Sequence, residues 1–498
     1  MNNENEKKEI KKPSDPKLER ILGFITLDVI ALICFGFGGA NGLNFLRVIG
    51  FSVALFLLPY FRYHFAGVKK SKLPILPLVA LFFLGISYFW MTYYTGAIVY
   101  GILFNLIVSL GFIAMFCLGS SLRELSDLKK EYIALAILGA LALLVLVTGF
   151  YSLIRYGFFY AAINNGKVYY FDGVVFPIAS EGKLLDGFMF REVNIAVAKA
   201  PAFILACSGV GLFAMDYKKR TWRLPVLIGF TAIGLLDLIF TPYRLGLILL
   251  LVVYVVMGIH QLIQIRLSGE ENRATRDKIA KIVFFVLLGL AGVVILVLFI
   301  DTMLGASSFL RKIPLFYAGD KPKTFGVAID KIENAIEATF FTVRGETRQG
   351  FNFLTTLFGA NAVDASGTRL MVYNTHIFEF DILYQNGLVG FAGLMFLIFF
   401  GFYYGHRFLI NEDGGPKCQR MAFMGILLGI FVYFSFNNDE IPLLHAYGLD
   451  EFFSYHSSLL VPLSRSSFFL LAALLLGYIY EPKEKAEPSK KEEACVNE

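Results

Sequence analysis

The chain has 498 residues, of which 57% are hydrophobic and 17% charged, with a formal net charge of +6. A mean hydropathy of +0.64 excludes a water-soluble chain of this length, and the long, continuous apolar runs exclude a β-barrel. The surplus lysines and arginines fall on loops of one membrane side, so the charge requires no nucleic-acid partner.

Read in order, the sequence predicts an all-α integral membrane protein with about 12 transmembrane helices. Residues 1–20 are polar and lysine-rich and read as a cytoplasmic tail. Residues 21–303 hold nine spans, at 21–39, 43–61, 73–94, 97–119, 132–154, 193–215, 223–240, 244–265 and 281–303. Residues 304–376 form a large extracytoplasmic loop bearing short helices. Residues 377–480 hold the last three spans, at 377–404, 420–436 and 458–480. Residues 481–498 alternate acids and lysines and read as a second cytoplasmic tail. The first apolar run has no small-residue cleavage site after it and reads as a retained helix.

Loop charge sets the orientation. Arg62 to Lys72, Ser120 to Glu131, Asp216 to Arg223, Arg266 to Lys281 and Gly405 to Arg420 are all rich in Lys or Arg. The opposite short loops, Gly38 to Gly42, Thr95 to Gly96 and Thr241 to Tyr243, have neither. The positive-inside bias therefore places both termini in the cytoplasm. Cys34, Cys117, Cys207, Cys418 and Cys495 all fall in spans or on the cytoplasmic side, so no disulfide framework is expected.

Two outer connections are long. Arg155 to Glu192 is the first. In the second, Ile329, Ile332, Ile336 and Phe340 recur on one face, with Asp330, Glu333 and Glu337 on the other, which predicts an amphipathic helix. A second short helix is expected over Gln349 to Phe358, ending at Gly359 as its C-cap. No repeated halves are visible in the sequence, which weighs against transporter folds built from internal repeats.

The stretch Tyr373 to Gly390 carries the densest chemistry. His376, Glu379, Phe380, Leu383 and Gly387 fall at helical spacing, and Gly387 would let another backbone come close. His376 has two readings: a base oriented by Glu379 or Asp381, or a helix-start histidine among acids favoured by the dipole. Arg244 follows Thr241-Pro-Tyr at the outer end of a span, where it either snorkels or grips a diphosphate. Arg344 and Arg348 precede the expected loop helix and read either as anion ligands or as a solvated face. Asp28, Arg47, Lys199, Asp237 and Arg465 lie within spans, where charge is costly and should face the bundle interior. Arg47, Lys199 and Arg465 would pair with acids or line an anionic donor cavity. No P-loop, dinucleotide fingerprint, metal-ligand spacing or outer acidic pair of the nucleotide-sugar type is present, so no cofactor is expected.

These segments resemble the O-antigen ligase/polymerase family of bacterial membrane glycosyltransferases. Thr241-Pro-Tyr-Arg244-Leu-Gly-Leu resembles the family's arginine opening an outer-facing span, with Tyr243 where serine is often found. Arg348-Gln-Gly-Phe-Asn-Phe-Leu-Thr-Thr-Leu-Phe-Gly359 resembles the loop element of arginine, helix and glycine turn. His376, with Phe380 four residues on and Gly387 eleven on, matches the spacing of the last motif; Ile377 replaces its usual polar residue. Asn194 weakly resembles a family asparagine at a span start. The resemblance implies a GT-C-type fold and a donor glycan on undecaprenyl diphosphate. It further implies transfer at the outer face of the cytoplasmic (inner) membrane without nucleotide or metal, for surface polysaccharide biosynthesis. The acceptor would be a growing glycan, a lipid or a wall polymer. On that likeness Arg244, Arg344 and Arg348 hold the diphosphate and His376 is the general base. The rival expectation is a polytopic transporter or flippase of lipid-linked oligosaccharide.

Overall fold

A computed structural model describes residues 127–156, 162–164, 167–170, 174–177, 195–215, 222–240, 244–266, 296–303, 309–313, 317–318, 321–322, 324–344, 347–359, 378–410, 416–436 and 467–480, with scattered helical positions in 78–122 and 275–293. Both tails, the first two expected spans, Asp28, Arg47, Asn194, His376 and Arg465 lie outside the described residues.

The described residues are mostly helical. In order they form α1 (Asp127–Tyr156), α2 (Ile195–Ser208), α3 (Arg223–Phe240) and α4 (Arg244–Arg266), then α5 (Thr324–Phe340), α6 (Phe353–Phe358), α7 (Phe378–Ile410), α8 (Lys417–Phe436) and α9 (Ser467–Ile479). Three stretches, Arg223–Phe240, Gly246–Arg266 and Gly387–Ile410, are long and apolar enough to cross a membrane. The last two fall within α4 and α7. On α4, Ile248, Leu251, Val255, Ile259 and Leu262 are exposed, while Leu249, Val253 and Met257 are buried. An exposed apolar face on a helix this apolar is what hydrocarbon solvation requires.

The core lies where α2 packs against α1, α3 and α8. Pro201 sits inside α2, and the helix tightens after Ser208 into a 3-10 turn, Gly209–Ala214. Proline cannot donate the backbone bond of its turn, so the neighbours must hold this helix in place. Phe203 and Tyr433 meet at a ring separation of 5.3 Å, and Tyr254 Oη donates to the Ala206 carbonyl at 2.8 Å. Gly234 lets α3 approach α2 until a Cβ would meet the Ala202 carbonyl and the Ala206 nitrogen. Asp237 is fully buried on α3, on the interior side where the sequence places a charge within a span.

α7 runs to Ile410, beyond the expected boundary at 404. Its end carries Arg407, and Arg420 from α8 donates to the carbonyls of Phe408 and Leu409 at 3.3 and 3.2 Å. These bonds satisfy carbonyls that a helix C-terminus leaves without partners, so the helix continues into the expected loop.

Short strands decorate the long connections. β1 (Ala162–Asn164), β2 (Lys167–Tyr170) and β3 (Val174–Pro177) form an antiparallel sheet in the first, which the apolar periodicity did not reveal. β4 (Tyr317–Ala318) pairs with β5 (Lys321–Pro322), and β6 (Phe341–Arg344) with β7 (Thr347–Phe351).

Candidate functional site

The amphipathic helix expected in the large loop is α5. Ile332 and Ile336 are buried against Leu298, Leu310, Phe380 and Leu383, so the loop is fastened to the start of α7 by its apolar face. Glu333, expected on the solvated face, is instead only 6% exposed. The buried band on α5 is wide because Ala335 also packs against Tyr384 and Thr339 is buried as well. Beneath this helix Asp301 is buried and accepts the backbone N–H of Phe309 at 2.7 Å and of Leu310 at 3.3 Å. It thereby fixes how the chain leaves the preceding helix.

Beyond α5 the chain turns back as the β6–β7 hairpin. Val343 faces Arg348 and Arg344 faces Thr347, with a register shift between Thr342 and Val343. The expectation of a helix from Gln349 is thus corrected: residues 347–351 are strand, and the helix is confined to Phe353–Phe358. The stop between them is Asn352. Its Oδ1 accepts the N–H groups of Leu354 and Thr355 at 3.2 and 3.3 Å, and its own N–H donates to the Phe340 carbonyl at 2.9 Å. An asparagine in this position nucleates a helix after it rather than continuing one through it. Arg344 and Arg348 therefore sit on neighbouring strands, not at the mouth of a helix.

Hydrogen bonds tie α6 back to α5. Thr355 Oγ1 donates to the Thr339 carbonyl at 2.9 Å, and Thr356 Oγ1 reaches the same carbonyl at 3.3 Å. Gly359 closes α6 as expected, with φ 99° and its N–H on the Thr355 carbonyl at 2.8 Å.

α6 then seats on α7 at Gly387. There α7 departs from helical geometry, with φ 63° and ψ −167°. A Cβ at this position would overlap the Leu357 carbonyl group and the Phe358 nitrogen. The sequence reading of Gly387 as a point of close backbone approach agrees with this seat. Positive φ and missing space both demand glycine here.

Around this frame the other candidates are placed as follows. Glu379 is half-buried in the first turn of α7, Asp381 is two residues further along that helix, and Phe380 and Leu383 face α5. Arg244 is the first residue of α4, and Lys199 lies within α2. His376 falls two residues before α7 begins, outside the described residues, as do Arg47 and Arg465. The structure therefore links the arginine hairpin to the start of α7 through α5, α6 and Gly387. Asn352 and Thr339 are the connecting residues that sequence reasoning missed; the polar pair Thr355-Thr356 directly after Asn352-Phe-Leu was the available signal.

Among the described residues, no group of three or more His, Cys, Asp or Glu side chains could hold a metal ion. Fold and site together define, among the described residues, a mostly helical structure with three helices long and apolar enough to cross a membrane and a loop docked on a broken apolar helix. No protein-family model matches the chain, and no curated protein matches it either.

Proposed function

We propose that this chain is a membrane glycosyltransferase of the O-antigen ligase/polymerase type. In this reading it spans the cytoplasmic membrane about 12 times in a GT-C-type arrangement with both termini inside. It transfers or polymerises glycan from undecaprenyl diphosphate at the outer face. The observation that supports it best is the seat of α6 on Gly387. That seat joins the hairpin bearing Arg344 and Arg348 to the helix that His376, Glu379 and Asp381 introduce. A loop so fastened is suited to hold an anionic donor beside a base.

The chemistry is a displacement at the anomeric carbon. His376 takes the proton of the acceptor hydroxyl, with Glu379 or Asp381 orienting the ring. The acceptor oxygen bonds to the sugar carbon as the bond to the diphosphate oxygen breaks. Arg244, Arg344 and Arg348 offset the charge that grows on the leaving diphosphate, with Arg47, Lys199 and Arg465 as further donor-cavity candidates. The flippase reading finds less support, because such carriers are built from repeated halves, which the sequence does not show, and have no need of a large outer loop.

The test is complementation of a deletion strain, with surface polysaccharide and lipid-linked intermediates resolved on one gel. Wild type restores long glycan, while His376→Ala and Arg244→Ala, present at equal membrane levels, do not. Short lipid-linked units then accumulate if the enzyme is a polymerase, and long ones if it is a ligase. Wild-type behaviour of both variants would remove the assignment.

A further inference from the structure

The corner between β7 and α6 carries the most exposed large apolar side chains among the described residues of the loop. Phe351 is 62% exposed, Phe353 63% and Leu354 44%. The two phenylalanines stand as far out as Leu251 on the membrane-length helix α4, at 63%. Large apolar groups bared side by side mark an interaction surface.

The level of the corner in the fold points to its partner. The α6 backbone at Leu357 and Phe358 rests on Gly387, and Gly387 opens the apolar stretch Gly387–Ile410. The 24 residues of that stretch rise about 36 Å, against a hydrocarbon core of about 30 Å, so Gly387 falls close to the boundary. Phe353 stands four residues before Leu357, about 6 Å along the helix. Leu388, next to Gly387 on α7, is exposed as well, so bared apolar surface begins on both elements at one level.

Composition agrees with a lipid partner. Residues 349–363 contain no charged side chain, whereas a surface for a soluble protein carries a polar rim. Polar groups of the corner are already engaged within the loop. Asn352 Oδ1 accepts the N–H groups of Leu354 and Thr355, and the Thr355 and Thr356 hydroxyls donate to the Thr339 carbonyl. Internal pairing of this kind is the condition for backbone to leave water.

We propose that this corner is a membrane anchor: Phe351, Phe353 and Leu354 insert into the leaflet at which α7 enters the bilayer. On the orientation expected from loop charge this is the outer leaflet. The inference rests on α7 crossing the membrane and not on glycosyl transfer. The anchor holds the β6–β7 hairpin, whose last residue is Phe351, at the level of the headgroups. A hairpin at that depth meets ligands carried on lipids rather than ligands free in water.

Tryptophan fluorescence of the full chain in proteoliposomes tests this. Phe351→Trp and Phe353→Trp are separate reporters, and Leu388→Trp is the lipid-facing standard. Wild type supplies the emission of Trp90 and Trp222, which is subtracted. Both reporters should lose most of their emission when phosphatidylcholine is exchanged for its acyl-brominated form, as the standard does, and should resist iodide. Loss to iodide but not to bromine would put the corner in water and overturn the proposal. Protection from both quenchers would mean that protein covers it, a second copy or another segment, and would overturn it equally. A standard that bromine leaves bright would remove the premise that α7 crosses the membrane. Phe351 ends a strand and Phe353 begins a helix, so either reporter decides the matter if the other fails to fold. No glycan enters the assay, so loss of the anchor leaves the glycosyltransferase reading standing.

Discussion

Gly387 lies against the backbone of Leu357, and this contact divides α7 into an entry segment over 378–386 and a membrane-length helix beyond it. Non-helical backbone within an apolar helix is tolerated where other protein covers it, and here α6 supplies the cover.

Gly387→Ala is therefore expected to destabilise the protein, by about 1–3 kcal/mol from backbone strain alone, with the overlap on Leu357 in addition. Gly229→Ala is the comparison, since nothing stands within 4 Å of a Cβ there. Thermal unfolding in detergent should show a clear drop for the first and little change or a small gain for the second.

Asn352→Ala removes the cap of α6 and should cost about 0.5–2 kcal/mol locally. Hydrogen exchange should quicken over 353–358 while the centre of α5 keeps its protection. Unchanged exchange over α6 would show that packing on Gly387, and not the cap, holds this helix.

Arg420→Ala should fray the end of α7, because the Phe408 and Leu409 carbonyls lose their donor in a buried setting. A loss of about 1–3 kcal/mol is expected. Both bonds leave one terminal nitrogen, Nη1, so Arg420→Lys should recover part of the loss, the shorter lysine bringing its ammonium near that position but not onto it. Protease sensitivity over 405–416 provides the readout.

His376→Ala should lower transfer by about 10²–10⁴-fold while leaving membrane levels unchanged, the range for loss of a positioned base. Arg244→Lys should retain more activity than Arg244→Ala, yet less than wild type, because one point charge replaces a bidentate donor. Chelator should leave the rate of wild type unchanged.

Helical spacing made much of this architecture legible. The spans at 223–240 and 244–265 coincide with α3 and α4, and the face of Ile332 and Ile336 is the buried face of α5. Gly387 was legible because its offset from Phe380 and Leu383 placed it on the face that meets the loop. The β6–β7 hairpin was not, because Thr347 to Phe351 carries no alternation of apolar and polar residues. Its strands are set by pairing and by the stop at Asn352, which are tertiary and capping effects. The extension of α7 to Ile410 was hidden for a similar reason: its end is satisfied by Arg420, ten residues further along the chain.

The most direct measurement is release of undecaprenyl diphosphate by the purified chain in liposomes loaded with the host's own lipid-linked glycan. Wild type is expected to release it in step with glycan product, in the presence of chelator, and His376→Ala to release almost none. Glycan that crosses the bilayer still attached to its carrier, or equal release by His376→Ala, would contradict the account.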